Sequence, residues 1–222
     1  MKKPLIIVGD SAFAEIAWLY FSETSEYETV AFSVEREFIK KTTFCGLPVV
    51  PFEELRDTYS TEKHEVFAAI NYQQMNRLRA RLSRQAKKWG YRLASYVSPH
   101  AFISSNAQIG EHCFIFENNV IQPFSKIGND VILWSGNHIG HHSEIDDHCF
   151  VSSHVVISGF CKIGSHCFLG VNSTIANNVS LGSDCWLSPN VAILKDVQAG
   201  TLYKAPITEP SPIDTYKFFK IK

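Results

Sequence analysis

The sequence predicts a two-part chain. An α/β unit with a parallel sheet occupies residues 1–95, a parallel β-helix occupies residues 96–200, and a short tail covers 201–222. Two observations carry this reading. From Val97 to Ile193 every sixth residue is Ile, Leu or Val, 17 times in succession. Before residue 95 that period is missing, and short apolar runs alternate with helical patterns.

In the first part, residues 5–8 read as a buried strand, Gly9-Asp10-Ser11 as the turn after it, and 12–21 as a helix. Residues 29–34 alternate like a second strand, 47–50 form a shorter one between Gly46 and Pro51, and 66–70 form another. Residues 73–90 place Met75, Leu78, Leu82, Ala86 and Trp89 at helical spacing, with Arg77, Arg81, Arg84, Lys87 and Lys88 as a solvated face. Strand–helix alternation implies a parallel sheet whose strand ends open onto a ligand crevice. The glycine fingerprint for dinucleotides is not met, because Asp10-Ser11-Ala12-Phe13-Ala14 follows Gly9. By itself the turn specifies either a helix N-terminus able to take a phosphate or an ordinary turn capped by Ser11.

In the second part, a period of six suits a parallel β-helix, where a small residue and an aliphatic point inward two apart and the chain then turns a corner. The position two before each aliphatic is Ala, Ser, Cys or Val, with Asn119 and Asn137 as exceptions. Five of the six cysteines fall there, so they read as wall residues, not metal ligands or disulfide partners. With three hexapeptides per turn, residues 18 apart stack, and the outward positions form three columns. The first is Phe114, Ile132, Phe150, Phe168, Trp186; the second is Phe102, Val120, His138, Val156, Thr174, Ala192; the third is Gln108, Lys126, Glu144, Lys162, Ser180, Gln198. Two apolar faces on one prism predict closure into a homotrimer, unless the N-terminal unit or the tail covers one of them.

Lys plus Arg number 21 against 22 Asp plus Glu, which argues against nucleic-acid binding and against a polybasic membrane anchor. No apolar run approaches the roughly 20 residues of a spanning helix. The stretch after Met1 is too short for a signal peptide, so a soluble, cytoplasmic protein is expected.

The α/β unit followed directly by the repeat resembles the bacterial sugar O-acyltransferase family typified by sialic-acid O-acetyltransferases, and within it the nucleotide-amino-sugar N-acetyltransferases. The matching stretches are I-I-V-G-D-S-A at 6–12, C-G-L-P-V-V-P-F-E-E-L at 45–55, S-P-H-A-F-I-S-S-N-A-Q-I-G at 98–110 and I-G-H-H-S-E-I at 139–145. The resemblance implies a Rossmann-like domain followed by a left-handed β-helix. It also implies transfer of acetyl from acetyl-CoA to the amine of a nucleotide-linked sugar, such as a 4-amino-4,6-dideoxyhexose, in surface glycan synthesis. Gly9, Asp10, Ser11, Ser33, Glu35, Asn71 and Tyr72 would meet the nucleotide. Gly159, Val171, Pro189 and Phe150 would meet acetyl-CoA. Phe13 stands where the family usually has Gly, and Asn71-Tyr72 replaces a Gly-containing turn.

Acetyl transfer needs a proton acceptor and donors for the developing oxyanion. Of nine histidines, most stand three residues after an aliphatic, at a corner, and His100, His112, His154 and His166 read as polar turn residues. His141 matches the family's catalytic base. Gly159, one coil on, is expected to leave ligand space beside it, and the N–H of Gly159 or Gly140 to hold the carbonyl oxygen. His142 replaces the acidic residue that commonly orients the base, leaving His138, Asn137 or a carboxylate of another subunit for that role. The same pattern admits a sugar O-acetyltransferase, a zinc hydratase of the trimeric β-helix type, or a non-catalytic sugar-nucleotide-binding protein. The zinc pattern is incomplete: His112 and His148 are 36 apart, but Ser153 stands where the third ligand would be. No metal is expected.

Overall fold

The computed structural model describes residues 2–221. Its first part contains β1 (Lys3–Val8), α1 (Ala12–Thr24), β2 (Tyr27–Val34), β3 (Thr43–Phe44), β4 (Leu47–Pro51), α2 (Leu55–Thr58), β5 (Glu65–Ala68), α3 (Arg77–Lys88) and β6 (Arg92–Leu93). The sheet order is β3-β4-β2-β1-β5-β6, parallel throughout except for the β3–β4 pair. Strand alternation sorts the core of this sheet. Leu5 and Ile7 pack with Phe13, Ala14, Ala17 and Phe21 of α1, while Ile6 and Val8 pack with Leu55, Leu82 and Ala86 of α2 and α3. Helix α3 starts four residues later than its apolar spacing predicts. Gln74, Met75 and Asn76 hold φ of 52°, 53° and 63°, a left-handed turn that ends at the helix.

The repeat folds as 17 two-residue strands from Tyr96–Val97 to Ala192–Ile193, each ending on a member of the aliphatic series. A further strand, Leu202–Tyr203, pairs with Trp186–Leu187 and carries the coil past residue 200. Strands 18 residues apart pair in parallel and make three sheets whose outward residues are the three columns read from the sequence: an aromatic face, a mixed face and a polar face. The exception is Gln198, which leaves the polar column because Val197 bridges Leu181 and shifts the register. The inward aliphatics and wall residues form one continuous core. Several polar wall residues share a repeated bond, while Ser173 Oγ is buried without a partner. Ser125 Oγ donates to Gly140 O at 3.0 Å, Ser143 Oγ to Ser158 O at 2.8 Å, and Cys149 and Cys167 Sγ to Gly164 and Gly182 O at 3.2 Å, each 15 residues on. All six thiols are free.

From residue 112 to residue 190, each corner turns through one left-handed residue. The 14 corners from 112 to 190, taken every sixth residue, all have positive φ. Asn, Asp, His and Gly occupy all but two of them, the types that tolerate this conformation best.

The aromatic face is not open. The α/β unit lies on it, with Phe13 and Phe21 of α1 packing on Phe114 at 5.6 and 5.8 Å between ring centroids. Phe114, Ile132, Phe150 and Phe168 are buried in this contact. The expectation that both apolar faces serve assembly is corrected: the chain covers one itself, and the mixed face, where Phe102 and Val156 are exposed, remains. A fragment beginning near Arg92 would therefore lack the cover of its aromatic face.

The junction is sealed by a buried polar network. Arg79 donates to Ala68 O and His112 O at 2.9 and 2.7 Å and pairs with Asp130 at 2.6 Å. His112 Nδ1 bonds Asp130 at 2.5 Å while its Nε2 accepts the Ala68 N–H at 2.9 Å. His148 Nδ1 bonds the other Asp130 oxygen at 2.7 Å, and its ring stacks on His166, whose Nδ1 donates to Met75 O. His112 is thus no simple turn residue. Residues beyond 204 are mostly exposed, with one short helix, α4 (Thr215–Phe218). Among the described residues no helix is long and apolar enough to cross a membrane.

Candidate active site

Two sites emerge. The first is a crevice of about 440 Å³ at the carboxyl ends of β1, β2 and β5, lined by Gly9, Asp10, Ser11, Ser33, Glu35 and Asn71 among others. Ligands of parallel sheets bind at such strand ends. Gly9 is required there: its φ is +122°, and a Cβ would meet Ala69 O at 2.9 Å. Ser11 heads α1 with its hydroxyl making no cap bond, so the helix N-terminus faces the crevice with its first N–H groups uncapped by side chains. Ser33 Oγ and Asn71 Oδ1 are buried and without hydrogen-bond partners. Buried polar atoms in native folds are paired, so two orphans in one crevice point to a polar ligand. Arg81 holds Glu35 through two bonds of 2.8 Å and keeps its carboxyl below the usual range. Lys41 lies 3.7 Å from the Asp10 carboxylate. Tyr72 does not join this group. Its ring packs on Phe150, Phe168 and Trp186 at 5.2, 4.7 and 5.8 Å, so it serves the junction.

The second site lies on the prism edge between the mixed and polar faces, the edge opposite the face that the α/β unit covers. Here stand His141 and His142, both exposed, with Nδ1 atoms 3.2 Å apart. The His141 backbone is held by Gln122 Oε1, which accepts its N–H at 3.0 Å. Its imidazole lies over Gly159, where a Cβ would sit 2.8 Å from Cε1 and 2.9 Å from Nε2. The space at Gly159 therefore belongs to His141 itself and not to a ligand. Phe160 meets His141 edge-on at 5.0 Å, and His142 lies between Phe124 and Phe160.

Several sequence readings are corrected here. Asn137 is buried in the wall, donating to Trp134 O and accepting the Val155 N–H, and cannot orient His141. His138 stands half-buried on the mixed face between Val120 and Val156, with no hydrogen bond to His141 among the described residues. The Gly140 N–H is bonded to Ile157 O at 2.7 Å and that of Gly159 to Asn177 Oδ1 at 2.9 Å, so neither is free for an oxyanion. Phe150 is buried under the α/β unit and cannot line a coenzyme groove. Val171 and Pro189 are exposed, but on the edge between the aromatic and mixed faces, across the mixed face from His141. As for the metal alternative, His112 has both ring nitrogens committed to Asp130 and the Ala68 N–H.

Two family models match the repeat. The bacterial transferase hexapeptide (six repeats) family matches residues 106–141 and 124–159, and the hexapeptide repeat of succinyl-transferase matches 161–195. No match was found among curated protein sequences. Among solved structures, the acetyltransferase domain of PglB from Neisseria gonorrhoeae superposes with a TM-score of 0.81 at 22% identity, over 90% of this chain and 96% of that one. PerB from Caulobacter crescentus, in complex with CoA and GDP-perosamine, gives 0.78 at 22% identity, over 90% and 92%. WeeI from Acinetobacter baumannii gives 0.61 at 17% identity, over 89% and 94%. At these identities the likeness is one of fold, and it spans both parts of the chain.

Proposed function

We propose that this chain is an acetyl-CoA-dependent N-acetyltransferase acting on a nucleotide-linked amino sugar. The observation that carries the reading is an exposed imidazole, fixed over Gly159 on a prism edge, in a chain whose α/β unit offers a crevice with two unpaired buried polar atoms. The reading is supported by full-length likeness to PerB, a structure holding CoA and GDP-perosamine, and to the PglB domain, solved also with acetyl coenzyme A.

His141 lies on the edge away from its own α/β unit, so a sugar held in that crevice reaches a histidine of another copy. We therefore infer a homotrimer assembled through the mixed face. Such a ring would also bring the Val171–Pro189 edge of one copy toward the His141 edge of the next, forming the groove for acetyl-CoA. In the reaction the sugar amine attacks the thioester carbonyl, His141 Nε2 takes the amine proton, and the CoA thiolate leaves and is protonated.

The test is thiol release from acetyl-CoA with UDP-, dTDP- and GDP-linked 4-amino-4,6-dideoxysugars. His141→Asn is expected to lower kcat by about 10²–10⁴-fold, the usual range for loss of a general base, with KM little changed. Full turnover in that variant would overturn the role of His141, and no turnover with any amino-sugar nucleotide would overturn the function.

A further inference from the structure

The corners around His141 depart from every other corner of the prism. Of the 14 left-handed corner residues from 112 to 190, only Phe124 and Phe160 are bulky, with φ of 64° and 58°. A large L-residue in this region is a steric outlier that the rest of the fold must offset. Neither ring is compensated by burial, since Phe124 is 55% and Phe160 51% exposed. They stand one coil before and one coil after His142 and sandwich its imidazole, at 4.6 Å and 29° on one side and 4.8 Å and 17° on the other. Two strained, exposed aromatics closing on one histidine are unexplained by packing within the chain.

We infer that His142, clamped between Phe124 and Phe160, is the positioning residue of His141 and the temporary holder of its proton, in place of a carboxylate. The inference rests on the acetyltransferase reading for its chemistry, but its geometry stands apart from it. The two Nδ1 atoms are 3.2 Å apart, so one must carry a hydrogen and the other a lone pair. For His141 to accept a proton at Nε2, its own hydrogen must sit on Nδ1 and be donated to His142 Nδ1. His142 is then fixed as the Nε2–H tautomer.

The proton path balances on this arrangement. The amine nitrogen forms a bond to the thioester carbon and gives its proton to His141 Nε2, while the Nδ1 hydrogen of His141 crosses to His142 Nδ1. His142 becomes the cation, between two ring faces whose quadrupoles attract positive charge within about 6 Å. When the carbon–sulfur bond breaks, the Nδ1 hydrogen returns to His141 and the Nε2 hydrogen goes to the CoA thiolate, leaving amide and free thiol.

Histidine-selective ¹⁵N NMR of the whole protein without substrate reads the tautomers directly, and is expected to show His141 protonated at Nδ1 and His142 at Nε2. His142→Phe keeps the stack but removes the acceptor; it should lower kcat about 10- to 100-fold at unchanged KM and let His141 drift to mixed tautomers. His142→Glu restores an acceptor and should recover both the Nδ1–H signature and most of kcat. The double change Phe124→Leu with Phe160→Leu should lower kcat at unchanged oligomeric mass. The inference is overturned if His142→Phe leaves the His141 tautomer and kcat intact, or if the double change only lowers the mass, which would make the rings an interface. An intact tautomer pattern in a protein inactive on every amino-sugar nucleotide would keep the positioning role, overturn the proton-holding role, and fail the acetyltransferase reading.

Discussion

Gly159 lacks a side chain because the His141 ring needs the room. Its φ is not positive, so alanine would suit the backbone, and the collision would fall on the end of an exposed side chain. Gly159→Ala is therefore expected to fold with a melting temperature within about 3 °C of the parent. The imidazole must swing away, and a displacement of about 1 Å at a reacting group costs roughly 100-fold in rate. Gly136→Ala is the matching control. There φ is +78° and a Cβ would meet His154 at 2.7 Å, so stability should fall while acetyl transfer per folded molecule stays unchanged. Melting curves beside kcat separate the two. At this scale the motif singled out His141, but the groups that hold its ring were not legible. Sequence spacing placed a glycine one coil on without saying which side chain would fill the gap. It also gave no sign that Asn177 occupies the Gly159 N–H.

Helix α3 shows how an element can be read rightly in its period and its solvated face while a buried residue within it goes unread. Its basic residues do pair at the surface: Arg77 with Asp184, Arg81 with Glu35, Lys87 with Glu111. Arg79, however, is buried at the junction, and Asp130 balances its charge. The clue available was a column of corner residues 18 apart, His112, Asp130, His148, His166, which places one carboxylate among three imidazoles. Asp130→Asn would leave the guanidinium buried without a counter-charge and should destabilise by about 3–5 kcal/mol, measured by urea unfolding. The same network sets a pH dependence. Burial first, then the neighbouring Arg79, lowers the His112 pKa to about 4. Between that value and the ordinary histidine value near 6.5, the unfolded chain binds a proton that the folded chain does not. Stability is therefore full above about pH 6.5 and falls as the pH drops toward 4, by on the order of 3 kcal/mol. Burial alone would raise Asp130, but Arg79, His112 and His148 hold it below its usual range, so the loss continues in stronger acid. Melting temperature should decline from pH 7 to pH 4.5, and a flat profile would contradict the neutral state assigned to His112.

At the scale of the molecule, periodicity told where the 17 prism strands from Tyr96 to Ile193 lie and which side chains stack, because a two-residue strand with one inward aliphatic leaves no freedom of register. The strand Leu202–Tyr203, 16 residues after its partner, falls off the period and was not legible. It could not tell what rests on each face, because aromatic columns look alike whether a domain or another copy covers them. The structure divides the two faces, and substitutions can divide them again. Phe168 is 7% exposed and stacks between Phe150 and Trp186 under Tyr72. Phe168→Glu would bury a carboxylate without a partner, at a cost of several kcal/mol, between the prism and its own α/β unit. Its expected effect is release of that unit, seen as protease cleavage within the turn at 71–76 that precedes α3, with loss of sugar-nucleotide affinity. Val156 is 39% exposed on the mixed face, in register with His138. Val156→Glu costs little in a single chain, where the carboxylate stays hydrated, but is costly where a second copy covers it. Light scattering is expected to give about three times 25.1 kDa for the parent and 25.1 kDa for Val156→Glu. On the proposed trimer, acetyl transfer should fall with the mass, because the crevice of one copy would lose the histidine of the next. A monomeric variant retaining full activity would mean that one chain completes the site alone.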